Sequence, residues 1–478
     1  MLVLLIVFPL ALAALSLVVP SYEGRSWILP IAGGLHLALT LALLTGHVAP
    51  SGLPWVAADP LGRLVLLVVS LLFFLCALYA VPYLRFHRED RGNRIMVPCL
   101  LVFLSAMTLA TLARHLGLLW LAVETTTLAS APLIYYNRNR LSLEATWKYL
   151  LICSVGIALA MLGILFVAYS ALHGGGAVSL QLDDLLREAP LCSRPWLHAG
   201  FVFLLVGFGT KMGLAPLHTW KPDAYGEAPA LVGALLAGGL TSVAFLGILR
   251  GVQIMGAAGD LAVARHALLA MGLLSLVLAA VFVIRQPDVK RLLAYSSVEH
   301  MGILAVGVGI GGLATFGAMF HLLNNALTKG GLFLSAGNIQ RAYSSKHISE
   351  VRGALGRVPV SAALFLAGFL AISGSPPFGP FLSEFTILRG TFLAGHYLLG
   401  AVFLLLLATV FIGMGGTVLP MTQGEPSAGL ADSGYHDTFL QVLPPLLLLA
   451  FILALGLYLP PPLRDLFHRA ADLVEVTR

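Results

Sequence analysis

The stretch FVFLLVGFGTKMGLAPLHTWKPDAYGEAP, residues 201–229, places a lysine inside an apolar run that is long enough to cross a bilayer. Lys211 stands near the middle of this run, where an ammonium group costs several kcal/mol. Pro216 lacks the N–H that would bond the carbonyl of Met212, so the sequence predicts an interrupted helix beside the charge. Irregular backbone at membrane depth is tolerated where it faces protein or water, and transporters build ion sites from it. We therefore expect a functional site at Lys211.

The composition identifies the class of protein. Hydrophobic residues make up 59% of the 478 residues and charged residues only 10%, which is typical of a polytopic membrane protein and not of a soluble globule. The net charge of +6 lies in loops, so it reports topology and not nucleic-acid binding. The four cysteines form no CxxC pair, so we expect no disulfide, no metal or iron–sulfur site and no cofactor in this chain.

Hydropathy predicts an all-α integral membrane protein with about fourteen spanning helices. The first apolar segment has no basic flank, so it is interpreted as a spanning helix and not as a signal peptide. The predicted spans are 2–20, 28–48, 61–84, 95–113, 116–136, 148–172, 200–220, 229–250, 261–284, 291–311, 313–338, 358–390 (interrupted), 396–420 and 438–459.

The distribution of Lys and Arg predicts the orientation. Loops after odd-numbered spans carry sixteen of these residues, whereas loops after even-numbered spans and the C-terminal tail carry ten. Basic loops stay in the cytoplasm, so both termini are predicted to lie outside an inner (plasma) membrane. The basic run RFHREDRGNR (85–94) is interpreted in the same way, with docking of a partner subunit or of anionic lipid as alternatives. Lys211 and Lys329 are the two cations expected inside spans.

A second interrupted helix carries another ionisable group. Prolines interrupt SGSPPFGPFLSEF (373–385), which contains Glu384. The recurrence suggests two five-helix repeats, of inverted topology because five is odd. The expected units are an N-terminal three-helix segment at 1–94, a first repeat at 95–254 broken at Lys211–Pro216, a second repeat at 255–420 broken at Pro376–Pro377, and a C-terminal helix and tail at 421–478.

Glu124 lies in the middle of the fifth predicted span, in WLAVETTTLASAP (120–132). It is expected to pair with Lys211 across helices, because either group alone would be an unpaired charge in the membrane. A protonated glutamate that bonds a neighbouring helix is the alternative.

Three polar residues recur at every fourth position of the eleventh span, FGAMFHLLNNALTKGGLF (316–333). His321, Asn325 and Lys329 form one stripe on a helix face, which favours a hydrated path over a structural histidine. Glu299 and His300 lie about two turns into the tenth span. For these two, a pair that snorkels or faces a loop is an equal alternative.

Groups of this kind can exchange protons. Burial disfavours the charged form of each group and a neighbouring opposite charge favours it, so small movements can release and reload a proton. Histidines are suitable relays because imidazole titrates near neutral pH.

These motifs resemble those of a known family, the antiporter-like, proton-translocating membrane subunits of respiratory complex I, Mrp-type cation/proton antiporters and membrane-bound hydrogenases. The resemblance implies fourteen helices in two inverted repeats, and proton translocation driven by a redox partner. It implies that Glu124 is the fifth-helix glutamate, Lys211 its lysine partner, Lys329 the central eleventh-helix lysine and Glu384 the terminal twelfth-helix group. The motifs that carry it are KMGLAPLHTWKPDAYGEAP (211–229), DVKRLLAYSSVEHMG (288–302), FHLLNNALTKGGLFLSAG (320–337) and SGSPPFGPFLSEF (373–385).

Within this family, VEHMG (298–302) and the SPPFG and SEF segments look like the F-type subunit of hydrogenase-4 and related hydrogenlyase complexes. The eighth span departs from many complex I members, because Ser242 stands about where they carry a lysine. A water-bridged set of Thr241, Ser242 and His218, or the pair Glu299–His300, could replace that lysine.

The expected function is that of a proton-translocating membrane subunit of a redox-driven complex, a membrane-bound hydrogenase or hydrogenlyase. The alternatives are a complex I-type NADH-quinone oxidoreductase subunit, an Mrp-like Na⁺/H⁺ antiporter component, and a structural subunit that does not pump. The expected partners are other membrane subunits, a cytoplasmic-side hydrogenase or dehydrogenase module, and the lipid bilayer, with enzymatic activity left to the whole complex. The residues expected to carry protons are Glu124, Lys211, His218, Glu299, His300, His321, Lys329 and Glu384.

Overall fold

The computed structural model describes residues 1–46, 53–87, 93–176, 178–425 and 434–475. Within these ranges the chain is helical, with three isolated antiparallel bridges and no strand. The helices are α1 (Leu2–Val18), α2 (Tyr22–Leu44), α3 (Pro60–Phe86), α4 (Met96–Leu112), α5 (Leu116–Ile134), α6 (Arg140–His173), α7 (Leu182–Glu188), α8 (Arg194–Met212), α9 (Trp220–Glu227), α10 (Ala230–Ala234), α11 (Thr241–Ala257), α12 (Leu261–Val283), α13 (Val289–Ile310), α14 (Leu313–Tyr343), α15 (Ala354–Arg357), α16 (Pro359–Ile372), α17 (Gly379–Leu393), α18 (Tyr397–Gln423), α19 (Phe439–Leu457) and α20 (Pro461–Glu475).

The protein is a multi-pass membrane protein, as its composition predicts. In the described ranges, nine helical segments are long and apolar enough to cross a bilayer. One of them is a single segment, Ala230–Ala257, in which a π-helical turn (Leu235–Leu240) joins α10 to α11. The total of fourteen spans and the inverted relationship of the two repeats stay predictions.

Two helices are interrupted where prolines predict a break. Helix α8 ends at Met212 and α9 begins at Trp220, whereas α16 ends at Ile372 and α17 begins at Gly379. Gly213 caps α8 with a φ of +80°, a left-handed conformation that glycine adopts without strain. The first interruption begins with buried residues, Gly213 to Ala215, whereas Pro376 and Pro377 of the second are exposed beside a surface cleft. Irregular backbone at membrane depth is tolerated where it faces protein or a water-filled cavity.

Helices α6 and α8 are in close contact along a glycine seam, formed by Gly156, Gly163, Gly200 and Gly207. A Cβ atom at Gly207 would lie 2.5 Å from the backbone nitrogen of Ala160, and one at Gly163 would lie 2.7 Å from that of Leu204. Small residues let membrane helices approach until their backbones touch. The seam therefore sets the position of α8, and of Lys211 at its end.

Five cations that the topology count placed in loops are buried in the bundle, namely Arg25, Lys221, Arg250, Lys290 and Arg341. Arg250 of α11 is 1% exposed and bonds Asp59 at 2.5 and 2.9 Å, while Asp59 also caps α3 and pairs with Arg114 at 2.8 Å. Lys290 is buried and donates to the carbonyl of Ala228 at 3.0 Å. Arg25 donates to the side chain of Asn93 at 2.7 Å, and the Arg341 guanidinium lies 4.5 Å from the centre of the Tyr83 ring. Lys221 belongs to the site below.

Lys211 and Lys329 are therefore not the only buried cations, and that expectation was wrong. Hydropathy misses the other five because they lie at the ends of apolar runs. When these cations are left out of the count, the loops after odd-numbered spans still carry the excess of Lys and Arg. Two residues of the basic run, Arg88 and Arg91, and Arg478 of the tail lie outside the described residues.

Candidate functional site

Lys211 lies at the C-terminal end of α8, 0% exposed, and its ammonium contacts two hydroxyl groups. It donates to Thr127 Oγ1 at 2.7 Å and to Tyr149 Oη at 2.8 Å, and its Nζ lies 4.6 Å from the centre of the Tyr149 ring. Tyr149 in turn shares a hydrogen bond of 2.7 Å with Ser130. Hydroxyl oxygens thus solvate the ammonium where a counter-ion was expected.

Glu124 reaches Lys211 through a hydroxyl group and not directly. Thr127 donates to the Glu124 carboxylate at 3.1 Å, and Ser154 donates to its other oxygen at 2.9 Å. Glu124 and Thr127 are three residues apart on α5 and share a face, so the threonine lies between the carboxylate and α8. The expected direct ion pair is not formed. The arrangement is instead Glu124–Thr127–Lys211, with Thr127 both accepting and donating.

The interruption between α8 and α9 brings His218 and Lys221 into the bundle. The indole N–H of Trp220 donates to the carbonyl of Thr210 at 2.9 Å, which satisfies part of the broken helix end. His218 is 6% exposed, and its Nδ1 has no hydrogen-bond partner among the residues that the structure describes. Its ring meets the Tyr295 ring edge-on at 6.2 Å.

Lys221 is the functional candidate that sequence reasoning missed, because it was counted as part of a cytoplasmic loop. It is 0% exposed, and its Nζ donates to Ser297 Oγ at 3.0 Å. The side chain folds back beneath Gly213, where a Cβ atom would lie 2.4 Å from Lys221 Cδ. The signal was available, since Lys221 follows the same proline break that made Lys211 conspicuous. Its burial depends on the return of the chain into the bundle, which hydropathy does not report.

Lys329 of α14 is likewise 0% exposed, and its Nζ donates to Ser296 Oγ at 2.7 Å. Ser296 donates to Glu299 at 3.3 Å. A serine thus separates this lysine from a carboxylate, as a threonine separates Lys211 from Glu124. Ser296 and Ser297 are consecutive residues of α13, so the contacts of Lys221 and Lys329 begin on neighbouring side chains.

Two histidines continue the chain of contacts from Glu299 toward α17. His300 Nε2 lies 3.7 Å from the Glu299 carboxylate, and His300 Nδ1 lies 3.0 Å from His321 Nε2. The rings are stacked with centres 5.1 Å apart. His321 Nδ1 lies 2.9 Å from Ser383 Oγ, one residue before Glu384. The alternative in which Glu299 and His300 snorkel or face a loop is wrong, because both are buried.

Glu384 ends this row beside an opening. Its Oε1 lies 3.9 Å from His300 Nδ1 and has no hydrogen-bond partner among the described side chains and backbone. The residue is 7% exposed and lines a surface cleft of about 370 Å³. The cleft follows the interruption between α16 and α17, and its other lining residues include Gly374 and Pro376.

The expected polar stripe along α14 forms its contacts with α13 and not along its own helix. His321 contacts His300 and Lys329 contacts Ser296, whereas Asn325 Oδ1 has no partner within the described part of the chain. The hydroxyls of Thr241 and Ser242 each donate to a carbonyl of their own helical segment, at 2.6 Å. The water-bridged set of Thr241, Ser242 and His218 stays a prediction.

Ligand atoms of His300, His321 and Glu384 all lie within 4.8 Å of one another, a spacing that could hold a metal ion. The two imidazoles are hydrogen-bonded to each other through His300 Nδ1 and His321 Nε2, the nitrogens that face such an ion. We therefore interpret these residues as a row of proton donors and acceptors.

These residues lie inside an apolar bundle in separate hydrogen-bonded groups, which together we call the buried axis. It carries three lysines and three glutamates, and none of the three lysines forms an ion pair with any carboxylate in the described ranges. Its members are Glu124, Thr127, Tyr149, Lys211, Lys221, Ser296, Ser297, Glu299, His300, His321, Lys329, Ser383 and Glu384.

Known proteins are similar over almost the whole chain. The chain is 33% identical to a hydrogenase-4 component F homolog of Methylacidiphilum infernorum, across 98% of this chain and 99% of that protein. It is 31% identical to NADH-quinone oxidoreductase subunit N of Desulforudis audaxviator, across 78% of this chain and 77% of that protein. A chain of the Mrp complex from a Dietzia species has the same fold, with a TM-score of 0.86 at 20% identity over 99% of this chain and 97% of that one.

The family model described as NADH:quinone oxidoreductase/Mrp antiporter, transmembrane, matches residues 113–413. This match includes both helix interruptions and every residue of the buried axis. The chain therefore belongs to the family of NADH:quinone oxidoreductase and Mrp antiporter membrane subunits.

Proposed function

We propose that this chain translocates protons across the membrane as a subunit of a redox-driven complex of the hydrogenase-4 type, and that the buried axis carries the protons. One observation supports the proposal above the others. Three buried lysines contact hydroxyl groups without forming an ion pair with a carboxylate in the described ranges. The three glutamates, of which Glu299 and Glu384 are buried and Glu124 is half-buried, lie beside these hydroxyls or beside an imidazole. Direct pairs would fix the charges as helix-packing contacts, whereas bridged groups can gain and lose protons when a neighbour moves.

The first half of the axis works as a hydroxyl-bridged pair. When Glu124 is ionised, its charge stabilises the ammonium of Lys211 through Thr127. When Glu124 is protonated or moves away, Lys211 remains buried among hydroxyl groups without a counter-charge. Its proton is then released toward the interruption that holds His218 and Lys221. Reversal of the movement reloads the lysine.

The second half receives the proton at Lys221. From there Ser297 and Ser296 lead to Lys329 and Glu299, and the two imidazoles lead to Glu384 at the cleft. No hydrogen bond within the described residues joins Lys211 or Tyr149 to Lys221. We assign this step to water, which can bridge polar groups across such a gap and enter when the interrupted segment shifts.

The assembly and orientation are also part of this proposal. The near full-length similarity to a hydrogenase-4 component supports a hydrogenase-type partner module and further membrane subunits. The excess of Lys and Arg in odd-numbered loops supports an inner-membrane location with both termini outside. The two interrupted helices support the division into two inverted five-helix repeats.

The experiment is proton uptake by the intact complex in sealed vesicles, driven by its electron donor and measured together with electron transfer. Lys211→Ala should lower the number of protons moved per electron while the complex still assembles. Lys290→Gln is the matched control, because Lys290 is also buried but bonds a carbonyl outside the axis. A normal proton-to-electron ratio in Lys211→Ala would contradict the proposal, and uptake that requires Na⁺ would favour a cation/proton antiporter instead.

A further inference from the structure

A groove of about 790 Å³ opens on the surface of the bundle, away from the buried axis. It lies between α2, α3, α14, α19 and α20, and its volume is in the range of small-molecule sites. Its deep part is apolar throughout. The side chains there include Leu67, Leu71, Leu323, Leu327, Phe451 and Leu455.

The mouth of the groove is basic. Arg63 and Arg469 line it, and neither forms an ion pair with a carboxylate among the residues that the structure describes. Arg63 donates through Nε to the carbonyl of Ala58 at 2.8 Å. One acidic residue, Asp465, also lines the groove, and its carboxylate lies 4.0 Å from Arg464 Nε. The mouth therefore carries two arginines without a counter-ion within the described ranges, whereas its one aspartate lies close to Arg464.

The position of the groove matches one leaflet of a bilayer. Helix α20 buries Phe467 and Ala470 and exposes Arg469, as a helix lying in the membrane interface does. Trp55 precedes α3 and Tyr458 follows α19. Both side chains are exposed, like the aromatic residues of a membrane–water interface. The nine residues from Arg63 to Leu71 span about 12 Å of helix, close to the roughly 15 Å hydrocarbon depth of one leaflet.

We propose that the groove binds one anionic phospholipid, with its phosphate between Arg63 and Arg469 and an acyl chain along Leu67 and Leu71 toward Leu323. A surface that is basic at headgroup level and apolar below it has the charge and depth profile of such a lipid. The lipid would contact the face of α14 opposite to His321 and Lys329. It would then stabilise the position of α14 from the side opposite to the buried axis.

The experiment compares two lipids on the intact complex. The detergent-purified complex is exchanged into mixed micelles of detergent with dioleoyl-phosphatidylglycerol or dioleoyl-phosphatidylcholine, re-purified, and analysed by native mass spectrometry for retained lipid. Wild type should retain phosphatidylglycerol over phosphatidylcholine by about thirtyfold, which is the scale of two arginines that attract the net negative charge phosphatidylcholine lacks. Arg63→Gln combined with Arg469→Gln should reduce the preference to less than about twofold.

Arg389→Gln is the control, because Arg389 is exposed and is counted, like Arg63, with the loops after even-numbered spans, but does not line the groove. Leu71→Trp, which fills the apolar end while leaving both arginines, should also lower phosphatidylglycerol retention. Equal retention of both lipids by wild type, or a preference that survives the double substitution, would overturn the proposal. So would cross-linking of a Leu71→Cys variant to a partner subunit, because a protein helix would then occupy the groove.

Discussion

Lys221 and Lys329 donate hydrogen bonds to consecutive serines of α13, to Ser297 at 3.0 Å and to Ser296 at 2.7 Å. One lysine follows the first helix interruption and the other lies on the long helix of the second half. The two halves of the axis therefore meet at one pair of hydroxyl groups. We expect this junction to take the place of the eighth-helix lysine, where this chain has Ser242.

Lys221→Gln should uncouple the complex. Glutamine keeps a donor for Ser297 but cannot exchange a proton, so proton uptake per electron should fall several-fold while electron transfer continues. The measurement is the proton-to-electron ratio in vesicles, with Lys290→Gln treated identically. An unchanged ratio in Lys221→Gln would show that protons do not pass through this residue.

Thr127 should be needed for its hydroxyl and not for its methyl group. Thr127→Val removes the bridge between Glu124 and Lys211 at nearly constant volume, whereas Thr127→Ser keeps it. Hydrogen bonds to charged groups contribute about 1.5–3 kcal/mol, so we expect proton uptake about tenfold slower or worse in the valine variant. The rate in the serine variant should stay within about twofold of wild type. Equal rates for valine and serine would remove Thr127 from the path.

Gly213→Ala should displace the Lys221 side chain. Both Gly213 and Gly175 have positive φ, +80° and +88°, so alanine imposes a similar backbone strain of about 1–2 kcal/mol at either position. A Cβ at Gly213 would lie 2.4 Å from Lys221, while one at Gly175 meets no atom within 4 Å. Only Gly213→Ala should lower the proton-to-electron ratio. Equal losses in both variants would attribute the effect to backbone strain.

Asp59 should make the stability of the folded chain depend on acid pH. Burial raises the pKa of this carboxyl, but Arg250, the Gly62 N–H and Arg114 lower it more, so the pKa lies below its ordinary value. The stabilisation is therefore present above the ordinary pKa of about 4 and is lost as the pH falls through the lower folded-state pKa. Asp59→Asn should cost about 3–5 kcal/mol at pH 7, because it leaves Arg250 buried without its counter-ion.

The measurement is the thermal unfolding midpoint in detergent between pH 7 and pH 3. The difference between wild type and Asp59→Asn should shrink toward the acid end, because below a pH of about 4 the unfolded chain binds the proton that the folded Asp59 does not. A difference that stays constant across the range would show that the loss does not come from the charge of Asp59.

Much of the architecture could be predicted from local patterns in the sequence. Apolar runs identify the membrane helices, and prolines inside them identify the interruptions at Pro216 and Pro376. Lys211, Lys329 and Glu384 stand out because a charge within an apolar run is costly wherever the helix packs. These residues need no knowledge of their neighbours to be noticed.

The contacts between those residues could not be predicted in the same way. Serine and threonine hydroxyls usually bond their own helix, as Thr241 and Ser242 do, so nothing local distinguishes Thr127 or Ser296 as a bridge. The pairing of Asp59 with Arg250 joins residues far apart in the chain, and only the packed bundle brings them together.

The glycine seam between α6 and α8 has a mechanical consequence. Two backbones in contact along several turns cannot slide or tilt against each other without unpacking, so α6 and α8 behave as one stiff body that carries Tyr149 and Lys211. The segment from Gly213 to Thr219 is not clamped in this way. This segment can move as a hinge relative to the rigid pair of α6 and α8. The amplitude of the movement would then be set by a few peptide units and not by the rotation of a whole helix.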